Sequence, residues 1–173
     1  MNARTLIRRA LAGTALAVMA TPAVAGAQSQ VRPLVVARGP LVDYSTPTSE
    51  STDGASAYLV SAVRGHRTDV VLFVTGLKAA SGEDFGAHAH VGPCVENAPT
   101  AAGPHYRGPG APVDDEHEVW LDFIVLPGGI GVARTSVPFV IPDGAARSVV
   151  IHRDSTASDG SAGPRLACLP VAF

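Results

Sequence analysis

Lysine is nearly absent from this chain: Lys78 is the only one among 173 residues. Of the thirteen basic residues, three fall at Arg4, Arg8 and Arg9. Beyond residue 27, ten basic residues face fifteen acidic ones, a net of −5. No basic run remains, which disfavours a polyanion such as nucleic acid as partner. Aromatics make up 5% of the chain, with one tryptophan. No segment after residue 27 carries the apolar spacing of an amphipathic helix. The apolar run from Ala10 to Ala20 is too short and too rich in alanine and glycine to span a bilayer comfortably.

Cysteine is scarce too. Cys94 and Cys168 are the only two, and neither sits in a CxxC pair of the kind that binds zinc. In an exported chain, two cysteines most simply pair with each other; the competing role is metal ligation. A Cys94–Cys168 bridge closes a loop worth about 4.5 kcal/mol by chain-entropy accounting.

Export is what the start of the chain predicts. Residues 1–27 combine the three arginines, the apolar run and small-x-small patterns at Ala23-Val24-Ala25 and Ala25-Gly26-Ala27, the signature of a cleaved secretory signal. No cysteine follows the run to take a lipid, so no stable membrane anchor is expected after cleavage. The expected home is the periplasm, the cell envelope or the medium. About 145 residues remain, enough for one domain with a real core.

Residues 28–54 are polar and read as an N-terminal strand or arm ending in a loop, with the main domain over 55–173. Short β-branched segments then recur: 56–63, 69–77, 85–91, 118–126, 131–141, 147–153 and 165–173, preceded by 34–38. Gly, Pro, Asp and Ser clusters such as Pro127-Gly128-Gly129 and Pro142-Asp143-Gly144 separate them. This spacing predicts an all-β antiparallel sandwich or barrel of about eight strands. Two stretches, 92–115 and 154–164, are long and irregular, and each follows a histidine-bearing strand. Long ordered loops of that kind carry function or are stapled down.

Residues i and i+2 of a strand share a face, so His88 and His90 project side by side. Alone, such a pair also fits a solvated face. His105, in the loop that Cys94 would tether, and His152, at the end of Val149-Val150-Ile151, bring the number to four. Four imidazoles suit copper or zinc, and a near-planar set favours Cu(II).

Gly86-Ala87-His88-Ala89-His90-Val91-Gly92-Pro93-Cys94, Gly103-Pro104-His105-Tyr106, Val149-Val150-Ile151-His152 and Gly163-Pro164-Arg165-Leu166-Ala167-Cys168 together resemble the copper/zinc superoxide dismutase family, in the same order over about residues 54–173. The resemblance implies an eight-stranded Greek-key barrel, copper held by His88, His90, His105 and His152, and a Cys94–Cys168 disulfide pinning the metal-binding loop. It implies superoxide as substrate, disproportionated to dioxygen and hydrogen peroxide, with Arg165 guiding the anion and His105 in the bridging, proton-accepting role. Arg165 suits that task on its own chemistry, being a permanent cation with fixed donors; Arg107 and Arg153 are further candidates for steering. A monomer or homodimer is expected.

The chain departs from the family at zinc. Val113 stands where a zinc histidine would be, leaving His117 with Asp114 or Asp115 as a paper assembly beside His105. The loop 154–164 is about half the family's usual length and offers no clear match for the aspartate that links the two metals. A copper-only variant is therefore expected, with a carboxylate in place of zinc behind His105: Glu118 first, Glu116 or Asp115 otherwise. The same acidic cluster also reads as a solvated loop. The competing function, on the same fold, is non-enzymatic copper binding or delivery.

Overall fold

The computed structural model describes residues 34–45, 49–108 and 112–173. The expected signal over 1–27, and residues 28–33, lie outside them. Ten strands follow in chain order: β1 (Val35–Pro40), β2 (Val42–Asp43), β3 (Ser56–Arg64), β4 (Arg67–Thr75), β5 (Asp84–Phe85), β6 (Ala87–His90), β7 (Phe123–Ile124), β8 (Gly131–Val137), β9 (Ser148–His152) and β10 (Arg165–Pro170). Helical structure among these residues is confined to two 3₁₀ turns, Ser49–Thr52 and Pro99–Ala102. Every ladder is antiparallel. One sheet runs β1-β3-β4-β8, a second runs β2-β10-β9-β6, and β5 pairs β7. The all-β expectation is met as a sandwich; among the described residues no ladder closes the sheets into a barrel.

The first sheet behaves as an antiparallel sheet with one wet face. Along β4, Thr68, Val70, Leu72 and Val74 are buried and alternate with exposed or half-buried neighbours. They meet Ala87, Ala89, Val149, Ile151, Leu166 and Leu169 of the second sheet in one core, which Phe85, Leu121 and Phe123 help to fill. The second sheet is different. All five residues of β9 are buried, because loops cover its outer face. There a smaller cluster joins Tyr44, Ala102, Val150 and Cys168, with Val42 and Cys94 packed against it. The disulfide Cys94–Cys168, Cα atoms 5.7 Å apart, lies in this cluster and fastens loop 91–108 to β10.

Expected strand 85–91 is split between β5 and β6, 165–173 ends at Pro170, and two further segments depart more. The expected strand 118–126 is reduced to β7, with isolated bridges at Glu118, Trp120 and Leu126. Beside it the amide of Ala87 donates to the Asp122 carboxylate at 3.2 Å, a side chain in the place of a ladder carbonyl. The segment 131–141 stops pairing at Val137, because Pro138 has no amide to donate. The described part of the expected arm joins the sandwich: β1 pairs with β3, and β2 with β10.

Replacing both cysteines by alanine unties a loop whose ends are 74 residues apart in sequence. The expected cost is about 2–5 kcal/mol, read as a lower denaturant midpoint with an unchanged folded far-UV spectrum in water.

Candidate metal centre

The outer face of the second sheet is where the histidines meet. In register, His88 lies opposite Val150, His90 opposite Ser148, and His152 opposite Arg165. Alternation sends Ala87, Ala89, Val149 and Ile151 inward and leaves His88, His90 and His152 on the other side. A β-bulge between Arg165 and Ala167 shifts the register by one residue. It lets Leu166 enter the core while Arg165 stands beside His152, the re-aiming for which bulges are known. His105 arrives from the loop, which runs back along β6 through a bridge to His90 and a 2.8 Å bond from the Tyr106 amide to the Ala89 carbonyl. The return needs Gly92: a Cβ there would overlap the Ala101 carbonyl.

One ligand atom from each of His88, His90, His105 and His152 lies within 4.8 Å of all the others. His88, His90 and His152 are buried, and His105 is half-buried. Among the described residues this is the one group of three or more His, Cys, Asp or Glu side chains so arranged.

Hydrogen bonds fix which nitrogen of each ring faces the group. His90 Nδ1 lies 3.0 Å from the Gly103 carbonyl, and His152 Nδ1 lies 3.2 Å from the Gly163 carbonyl. Carbonyls only accept, so both Nδ1 atoms carry the proton and both Nε2 atoms present lone pairs. Those two Nε2 atoms face each other at 3.3 Å. The Thr156 hydroxyl donates to Asp122 at 2.7 Å, so it can only accept from His88 Nε2 at 2.6 Å. That leaves His88 Nδ1 a buried lone pair with no partner. Converging lone pairs with no proton between them are electrostatically unfavourable until a cation joins them. The donor set fits a nitrogen-loving metal ion, and each ring's opposite nitrogen is held as metal-binding histidines usually are.

His105 is held by the carboxylate expected first. Glu118, 1% exposed, accepts from His105 Nδ1 at 2.8 Å and from Trp120 Nε1 at 2.9 Å on the same oxygen, and from Arg107 Nε at 3.0 Å on the other. A carboxylate this deep is tolerated because all three partners are donors and one is charged. The possible zinc assembly is not brought together. His117 Nδ1 instead pairs with Asp114 Oδ1 at 2.6 Å, and neither they nor Asp115 belong to a three-ligand group.

Arg165 spans the loop, donating Nη1–H to Pro99 O and Nη2–H to Gly103 O, each at 2.7 Å. Its charge is felt by His88, His90 and His152, whose protonated forms it disfavours. Arg107 is occupied by Glu118, and Arg153 lies over the Phe85 ring, 5.8 Å from its centroid. Compared with protein-family models and with curated proteins, the chain matches none.

Three participants escaped the sequence reading. Trp120 donates to Glu118. Thr156 and Asp122 orient His88, and Asp122 takes the Thr156 amide as well, at 2.7 Å. An aspartate interrupting the apolar run Glu118–Leu126 was the available signal for the last.

Burial pulls His90 down to about 3 and His152 to about 4, from an ordinary imidazole value of 6.5. The backbone carbonyls on their Nδ1 atoms offset part of that pull. His88 is driven lower still, by burial first and then by the neighbouring imidazoles. Unfolded, these rings take up protons as pH falls through 6.5; folded, they stay neutral to about 4 or below. The stability they contribute above pH 6.5 is thus lost as pH falls through that window. The metal-free protein should show a steep drop in calorimetric Tm between pH 6.5 and 4; a flat Tm there would refute buried neutral rings. Separately, Thr156→Val removes the acceptor for His88 Nε2 and should weaken metal-ion binding about 10–100-fold in a chelator-competition titration.

Proposed function

We propose that this chain is an exported copper-dependent superoxide dismutase, of the copper/zinc superoxide dismutase family and working without zinc. The observation that carries the reading is the four-imidazole group with a carboxylate, rather than a second metal, on the far nitrogen of His105. The order of the four sequence motifs and the disulfide in the matching position support it.

The chemistry that a bound copper supplies is alternate acceptance and donation of one electron, which turns two superoxide ions and two protons into dioxygen and hydrogen peroxide. The chain's part is to build and serve that centre. His88 offers Nδ1, while His90, His152 and His105 offer Nε2. Three of these rings stay unprotonated through burial, so no proton competes for their lone pairs. Glu118 fixes the His105 tautomer with Nδ1–H outward from the group, the orienting task that the family gives to zinc. Because His105 is the least buried of the four rings, it is the one best placed to take a proton from solvent and pass it on.

Arg165 supplies permanent positive charge at the centre's edge. With acidic residues in excess over the chain, local potential must draw the anion in, and superoxide dismutase is itself a standard illustration of such steering. A copper-storage or delivery protein has no use for an anion-guiding arginine, which favours the enzyme over that alternative.

The test is superoxide dismutation per bound copper on protein loaded with copper alone. The expected rate approaches the diffusional ceiling of about 10⁸–10⁹ M⁻¹s⁻¹. Glu118→Gln should lower it by about tenfold or more while copper stays bound. Tight stoichiometric copper with turnover no better than that of free copper complexes would sink the enzyme and leave copper handling.

A further inference from the structure

The outer face of the first sheet is both apolar and basic. In register across its four strands, one row reads Arg38, Tyr58, Phe73, Val132, and the next reads Val36, Val60, Val71, Arg134. Tyr58, Phe73, Val36, Val71 and Val132 are each 38–48% exposed. Arg64 and Arg67 close the hairpin end of the same face. Arg38 and Arg134 are isolated in sequence and join the hairpin arginines on this face only through the pairing of strands.

The charge on this face opposes that of the rest of the molecule. Its four arginines face one aspartate, Asp69, which pairs with Arg64 at 3.2 Å; the face therefore carries +3. Residues 34–173 contain nine basic and fifteen acidic side chains, a net of −6, which leaves −9 for everything else. The metal centre lies on the outer face of the other sheet, across a sandwich whose layers are about 10 Å apart. That spacing is about one Debye length at physiological salt, so an anionic surface touching the basic face is partly screened from the acidic remainder.

We infer that this face docks the protein onto an anionic phospholipid bilayer, with the metal centre turned away toward solution. Guanidinium groups bind phosphate through two parallel hydrogen bonds. Tyrosine settles at the depth of lipid headgroups, and the valines and Phe73 meet the acyl boundary beneath. A second copy seated face to face would oppose +3 with +3. A neutral apolar partner would leave the arginines without counter-charge. The inference stands independently of the metal chemistry.

The experiment is flotation of the chain from residue 28 onward, without the expected signal, with vesicles of phosphatidylcholine and phosphatidylglycerol, against phosphatidylcholine alone, at low and at high salt. The protein should float with the anionic vesicles only, and high salt should release it. Arg38→Gln and Arg134→Gln should each weaken partitioning about fivefold. In a Phe73→Trp variant, the added tryptophan's emission should shift to shorter wavelength on anionic vesicles. Equal behaviour on both vesicle types, indifference to the arginine substitutions, or unchanged Phe73→Trp emission each overturns the inference. So does a dimer in sedimentation that Phe73→Ser dissociates, which would give the face to a second copy.

Discussion

The carbonyl oxygen of Gly103 accepts two hydrogen bonds, from His90 Nδ1 at 3.0 Å and from Arg165 Nη2 at 2.7 Å. Through that atom, β6, β10 and the loop between Cys94 and His105 are held in one geometry. It sets the tautomer of His90, so that the Nε2 lone pair points inward, and it holds the guanidinium beside the same group. The disulfide fixes one end of this loop, and the bridge of His105 to His90 fixes the other. The Gly103 carbonyl can therefore stay where two separate strands need it.

The remaining polar groups follow from the covering of the second sheet. Most side chains on its outer face are taken out of water, and most of these are paired or apolar. Val150 and Cys168 meet the apolar condition, packed against Ala102 and the ring of Tyr44. Ser148 donates to the Gly92 carbonyl at 2.8 Å. Glu118 collects three donors, and His88 reaches Asp122 through Thr156. Besides Asp43 Oδ1 and the Tyr44 hydroxyl, which also stay unpaired, this pairing leaves over the inward lone pairs of the four rings, which is why the group is poised for a cation.

Much of the site was readable in the sequence because strand period and residue type carry it. His88 and His90 two apart, His152 closing a β-branched run and two lone cysteines needed no tertiary knowledge. Glu118 could be ranked first because it stands at the start of an expected strand. What escaped depends on distant segments meeting. Thr156 and Asp122 lie 34 residues apart, and neither residue type is rare in a loop. The bulge that turns Arg165 outward leaves no mark in local composition. The segment 118–126 has the residues of a strand, yet its backbone and side chains serve two neighbours, and only two residues form a ladder.

The strand pair β2–β10 joins residues 42–43 to residues 167–168, so the first and last portions of the sandwich are hydrogen-bonded to each other. A chain emerging from the ribosome or from a translocation pore cannot complete its second sheet until its C-terminal strand is free. Contacts so far apart in sequence make for slow folding, and here they include the strand that carries Arg165 and Cys168. Until β10 is in place, the histidine group lacks Arg165 beside it and its loop lacks the disulfide. An unfinished chain has no finished pocket in which to trap a stray ion.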